Sequence, residues 1–171
     1  MIFTEIFVED CTYFNTMTSA DPTHWTIPSS LNVSYSSNGM KFQPNSFVDS
    51  YLEIPLTKPY SVEFDLIQYS GNPTYLHYLW DSTKTTRQIF MGLSSGKTIL
   101  DTYPSSSNYW NASIPQGSHV RIEVNEDNVK LYANDDLKLT KSYTMPSSSI
   151  LGLAGSSNTT CTWKNIKIKP L

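Results

Sequence analysis

Charge is what this sequence has least of. Lys, Arg, Asp and Glu together make up 16% of its 171 residues, where an average soluble domain carries about a quarter. Twelve basic and fifteen acidic side chains leave a net charge of -3. Phosphate recognition needs clustered Lys and Arg, so this balance argues against nucleic acid as the partner. The one basic cluster, Lys164, Lys167 and Lys169, reads as the solvated face of a strand. No apolar run approaches the length of a membrane span, which argues against a membrane. No stretch of a dozen residues repeats its apolar positions every 3.6 residues, so almost no helix is expected.

Cysteine is equally sparse. Cys11 and Cys161 are too few for a metal site and have no histidine pattern near them. They either form a disulfide closing a loop of about 150 residues, which would stabilise the fold by roughly 5 kcal/mol, or stand as two buried thiols on neighbouring terminal strands. His24, His77 and His119 are scattered without metal-ligand spacing. Met1 to Asp10 shows neither a basic n-region nor a small-residue cleavage site. The chain therefore either does not use that secretion route or is a piece of a longer protein.

What is present is short alternation. Tyr60, Val62, Phe64 and Leu66 share one parity, with Ser61, Glu63 and Asp65 on the other. Val120, Ile122 and Val124 alternate with His119, Arg121 and Glu123, and Val129, Leu131 and Ala133 repeat the pattern. A period of two marks a sheet with one buried face. Turn residues punctuate the runs at Ser37-Asn38-Gly39, Ser70-Gly71-Asn72-Pro73, Ser94-Ser95-Gly96 and Asn125-Glu126-Asp127-Asn128. Residues 118–134 read as a hairpin, and Ile89 to Leu93 returning through Lys97 to Leu100 reads as a second. Longer polar connections are expected at 15–30, 43–49, 101–117 and 142–149. About a dozen strands are too many for one compact open sheet. The expected fold is all-β, one domain over residues 1–171, a two-sheet antiparallel β-sandwich of jelly-roll type.

Four segments carry a family resemblance. Phe14 to Trp25 is followed by Gly39-Met40-Lys41-Phe42, and Tyr51-Leu52-Glu53-Ile54-Pro55 leads into Tyr60 to Asp65. The hairpin Val120 to Val124 with Val129 to Tyr132 comes late, and Thr162 to Ile168 closes the chain. In this order they resemble the concanavalin A-like lectin/glucanase superfamily. The resemblance implies a last strand returning beside the first. It also implies a non-catalytic carbohydrate-binding module of the kind found on enzymes, adhesins and phage tail or baseplate proteins. A structural calcium is a further implication, with Glu9-Asp10, Asp49 and Asp135-Asp136 as candidate donors; no other cofactor is expected.

The same resemblance raises an enzymatic reading. Some relatives hydrolyse β-glucans with Glu-x-Asp-x-x-Glu, whose first and last carboxylates act as nucleophile and acid. Here the stretch is Glu63-Phe64-Asp65-Leu66-Ile67-Gln68, and an amide delivers no proton. Glu63 and Asp65 then read as solvent-facing residues paired with Arg121 across the sheet, and the protein as no enzyme. Ser94-Ser95-Gly96-Lys97-Thr98 ends like a phosphate loop but lacks its first glycine and falls on a hairpin turn.

Abundant aromatics suit a sugar's C–H face, and amides suit its hydroxyl rim. Trp25 is expected in the core. Trp163 lies on the parity opposite to Ile166 and Ile168, and only a bulge would bury it. Trp80 and Tyr78 on an aromatic strand, and Tyr103, Asn108, Tyr109 and Trp110 in a polar loop, are the candidate ligand contacts. The expected partner is a polysaccharide or glycan, in an extracellular or virion setting where the domain attaches a larger assembly. The competing readings are a structural or protein-interaction domain of a fibre or baseplate, and a degenerate glycoside hydrolase.

Overall fold

The computed structural model describes residues 11–44, 48–71, 74–81, 83–84, 87–94, 97–102, 109–110, 114–143, 146–155 and 159–171. In chain order the strands are β1 (Tyr13–Asn15), β2 (Trp25–Thr26), β3 (Val33–Ser36), β4 (Gly39–Phe42), β5 (Val48–Leu52), β6 (Leu56–Thr57), β7 (Tyr60–Ser70) and β8 (Thr74–Asp81). They continue with β9 (Arg87–Ser94), β10 (Lys97–Thr102), β11 (Tyr109–Trp110), β12 (Ser118–Val124), β13 (Asn128–Ala133), β14 (Asp136–Ser142), β15 (Ser148–Gly155) and β16 (Thr160–Pro170). One 3-10 turn, Ser29–Leu31, is the only helical element among the described residues. For β8 to β11 the backbone and its pairing are described.

The strands form two antiparallel sheets. The first runs β14-β13-β12-β7-β16-β4-β3, with β1 also on β16; the second runs β11-β10-β9-β8-β15-β5-β2, with β6 also on β15. Both expected hairpins are present, Val120 opposite Ala133 in one and Leu93 opposite Thr98 in the other. The last strand lies beside the first, Tyr13 opposite Ile168. The sandwich expected from alternation is the fold observed. All four expected connections overlap strands: β2 lies within the first, β5 begins at Val48, β10 extends to Thr102 with β11 beyond it, and β15 begins at Ser148.

The core lies between the sheets. From the first come Phe42, Val62, Phe64, Leu66, Val120, Ile122, Leu131, Trp163, Ile166 and Ile168; from the second come Trp25, Leu52, Leu151 and Leu153. Trp163 is fully buried and meets Phe42, Phe64 and Trp25 edge-on at 6.5, 6.2 and 6.3 Å between ring centroids, the T-shaped arrangement aromatic quadrupoles favour. Trp25 therefore packs in the core as expected.

Trp163 reaches the core because β16 carries an extra residue against β7 between Lys164 and Lys167. The extra residue reverses the in–out parity. Asn165 occupies this bulge with φ +55°, a left-handed conformation that Asn tolerates. Gly39 answers from the neighbouring strand: at φ +106°, a Cβ there would sit 2.4 Å from the Trp163 carbonyl oxygen. Only glycine fits.

Two buried hydrogen bonds tie the sheets together where hydroxyls enter the core. Tyr60 Oη and Ser149 Oγ are 2.6 Å apart, and Trp25 Nε1 donates to Tyr13 Oη at 2.9 Å. Burial pushes the Tyr60 and Tyr13 phenols well above their ordinary range, so both stay protonated and able to donate.

The cysteines do not meet. Thr12, next to Cys11, bonds Ile168, which lies seven residues along β16 from Cys161, about 20 Å at strand rise. A disulfide needs Cα atoms within about 7 Å. Both thiols are free; Cys161 is buried but Cys11 is exposed, so the alternative of two buried thiols is also corrected.

Trp163→Ala is expected to lower unfolding free energy by about 3–5 kcal/mol in urea titrations, with Gly39→Ala also strongly destabilising. A thiol reagent should label one cysteine, Cys11, in the native protein and both in denaturant, because burial shields Cys161 and raises its thiol pKa.

Candidate functional site

The two sheets turn very different faces outward. On the first, β7 and β12 hold charged residues in register: Glu63 opposite Arg121 and Asp65 opposite His119. β16 adds Lys167 opposite Glu63. The bulge between Thr162 and Trp163 also affects β7, since Trp163 pairs with Leu66 but Thr162 pairs with Gln68. Ile67 is the extra residue. Phe64 and Leu66 are buried and Tyr69 packs against the core, which puts Gln68 on the outward face with Glu63 and Asp65. The Glu-x-Asp-x-x-Gln stretch thus presents all three positions on one face, with an amide at the third.

Glu63 and Asp65 sit in a network. His119 Nδ1 lies 2.8 Å from Asp65 Oδ1, and Asn165 Nδ2 donates to Asp65 Oδ2 at 2.6 Å. Glu63 lies 3.3 Å from Lys169 Nζ and 3.8 Å from His119 Nε2. Arg121 is Glu63's cross-strand neighbour, as expected, but its ion pair is with Glu123, and its guanidinium stacks 3.9 Å over the Tyr132 ring. The expected Glu63–Arg121 pair is therefore corrected. The reason is competition: Glu123 lies two residues along the same strand face, Tyr132 hydrogen-bonds Glu123 at 3.0 Å, and the ring beneath the guanidinium fixes it there.

On the second sheet, Leu151 and Leu153 of β15 point into the core, whereas Ile150 and Ala154 are buried without joining the core cluster. Ile150, Gly152 and Ala154 form the floor of the outward face. Trp80 pairs with Ile150, and Tyr78 with Gly152, so both positions fall on outward rows. One row runs Tyr51–Gly152–Tyr78–Phe90–Asp101 across five adjacent strands, about 19 Å at the usual strand spacing.

Tyr109 and Trp110 form β11, an edge strand, and not a free loop. Tyr109 pairs with Ile99, itself opposite Gly92, which puts it on an outward row; Trp110 pairs with Thr98, opposite Leu93, on the rows of the other parity. β11 stands three strands from β8 in one sheet, about 14 Å. Tyr103 and Asn108 lie outside the described residues. Tyr51, Phe90 and Asp101 escaped sequence reading. Their only available signal was alternation within short strands, and register across five strands is not written in any one of them.

Tyr51 sits at the described end of the row. Lys84 Nζ stands 5.1 Å from its ring centroid and 2.6 Å from Glu53, to which Thr26 Oγ1 also donates at 2.7 Å. Lys84 and Thr26 hold the Glu53 carboxyl below its ordinary range. The calcium donors do not converge: among the described residues no group of three or more His, Cys, Asp or Glu is placed to hold a metal ion, and Glu9-Asp10 lie outside them. Among the same residues, no helix is long and apolar enough to cross a membrane.

A separate polar knot closes one end of the sandwich. Partial burial raises the Asp21 carboxyl, but His24, Tyr13 and Asn15 hydrogen-bond it at 2.9 to 3.1 Å and together hold it below its ordinary value. A carboxyl depressed in the folded state stabilises fully above its unfolded pKa of about 4 and loses that effect as pH falls through the folded value. The stability advantage of the wild type over Asp21→Asn, followed by thermal unfolding, should be constant near neutrality and shrink below about pH 4.

No family model and no curated protein matches the sequence. Solved structures do. The carbohydrate-binding module CBM66 from Bacillus subtilis matches with TM-score 0.65 at 15% identity, over 85% of this chain and 95% of that one. Crh5 transglycosylase in complex with NAG matches at 0.73 and 12%, over 92% and 83%. A Bacillus subtilis protein of unknown function with a galectin-like fold matches at 0.73 and 9%, over 94% and 96%. At such identities the likeness is one of fold: this chain shares its β-sandwich with a carbohydrate-binding module, a galectin-like protein and a transglycosylase.

Proposed function

We propose that this protein is a non-catalytic glycan-binding module whose ligand lies across the outward face of the second sheet. The observation that carries this reading is the row Tyr51–Gly152–Tyr78–Phe90–Asp101. It sets aromatic positions on either side of a glycine in β15 and an acid at one end. Aromatic surface takes the C–H face of a pyranose, and an acid accepts from hydroxyls. Trp80 and Tyr109, on neighbouring outward rows, extend the platform. The fold neighbours support a glycan as the partner class.

The non-catalytic part of the reading rests on Gln68. Glu63, Asp65 and Gln68 share a face, as hydrolysis would require, but the third position cannot act as an acid. The setting we propose is an extracellular or virion surface, where the domain attaches a larger assembly to polysaccharide.

Titration calorimetry against cell-wall oligosaccharides should show binding that Tyr78→Ala and Trp80→Ala each weaken by roughly tenfold or more, a loss of about 1.5 kcal/mol or above. Reducing-sugar assays on the same ligands should show no release by the wild type. Silence across a glycan array removes the binding reading; release abolished by Glu63→Gln replaces it with a hydrolase.

A further inference from the structure

The outward face of the first sheet holds a cavity of about 400 Å3 lined by Glu63, His119, Arg121, Asp135, Lys169 and Pro170, among others. That size falls among small-molecule sites. We propose that it is a second ligand site, on the sheet opposite the aromatic row, taking a neutral polyhydroxylated ligand such as one sugar residue through its vicinal hydroxyls.

Charge decides the ligand class. The lining carries two acids, Glu63 and Asp135, and two bases, Arg121 and Lys169, and these are already engaged. Lys169 stands 3.3 Å from Glu63; Arg121 pairs with Glu123 and stands 3.9 Å from Asp135. A charged ligand would have to break one of these pairs and leave a half-buried ion without its partner, a costly exchange. A neutral polyol leaves them intact and adds hydrogen bonds to their remaining lone pairs and N–H groups.

One gap in the lining has the shape of that chemistry. Asp65 can only accept, so His119 Nδ1 carries the hydrogen of their 2.8 Å bond. The other ring nitrogen, Nε2, faces Glu63 Oε2 at 3.8 Å. The distance is too long for a direct hydrogen bond. Two adjacent hydroxyls bridge that gap: one donates to Glu63, and the other bonds Nε2. Asn165, bonded to Asp65 at 2.6 Å, holds the far side of the imidazole's partner in place. Arg121, stacked on Tyr132, offers its donors from a fixed position, so little side-chain freedom is lost on binding. Pro170 supplies an apolar edge for ring C–H groups.

The test uses the whole chain, with glucose, galactose, mannose, xylose and N-acetylglucosamine as neutral probes and glucuronic acid as a charged one. The readouts are calorimetry and the imidazole nitrogen resonances of His119. At least one neutral sugar is expected to move the His119 resonances. Glu63→Gln should weaken that binding by about tenfold, as for loss of a hydrogen bond to a charged acceptor, and Arg121→Lys should weaken it without abolishing it. A Tyr78→Ala, Trp80→Ala double variant should leave it unchanged. Resonances of the wild type that respond to none of the neutral sugars, a response that survives Glu63→Gln undiminished, or a response to glucuronic acid alone would each overturn the proposal.

Discussion

The fold turns on the contact of Trp163 with Trp25 across the space between the sheets. Trp163 comes from an interior strand of one sheet, Trp25 from the edge of the other, and Phe42 and Phe64 close around them. Burying rings of this size supplies a large share of the apolar burial that a β-sandwich depends on. It also imposes conditions elsewhere. β16 must bulge to aim the indole inward, Asn165 must adopt a left-handed conformation, and β4 must carry a glycine where its backbone crosses Trp163. Two otherwise unrelated residues, Asn165 and Gly39, are thus fixed by one ring.

A second bulge in the same strand pair, on β7, reaches the surface. By inserting Ile67 it turns Gln68 outward beside Glu63 and Asp65, so packing in the core decides which groups share the charged face. That face is a web of ion pairs and hydrogen bonds among β7, β12, β13 and β16. On the other sheet, Ile150, Gly152 and Ala154 of β15 take the outward parity, and cross-strand register lines up positions 51, 78 and 90 with Gly152. The charged set is thereby confined to alternate positions of the first sheet. A sandwich can do this because alternate residues of every strand are free to vary once the inward set is satisfied.

Much of the fold was legible because regular alternation is a local signal. The hairpin of residues 118–134 and the run Tyr60 to Leu66 announce their buried faces residue by residue, and both appear as read. What escaped was whatever depends on broken alternation or on register between distant strands. Trp163 looked outward by parity, and only the bulge at Asn165 buries it. Glu63 and Arg121 were correctly placed opposite each other, yet their ion pairs go elsewhere, because Glu123, Lys169 and Tyr132 compete within side-chain reach. Tyr109 and Trp110 read as loop because a two-residue edge strand is too short to alternate. Tyr78 and Trp80 were named from the alternation of their own strand, whereas the row that lines Tyr51, Phe90 and Asp101 up with Tyr78 exists only through cross-strand pairing.

The central claim is that glycan lies across the outward row centred on Gly152. Backbone amide resonances recorded while a cell-wall oligosaccharide is added test it most directly. The account predicts shifts concentrated at Tyr51, Gly152, Tyr78 and Phe90. Shifts confined to the edges of the sandwich, with the Gly152 and Tyr78 amides unmoved at saturation, would contradict it.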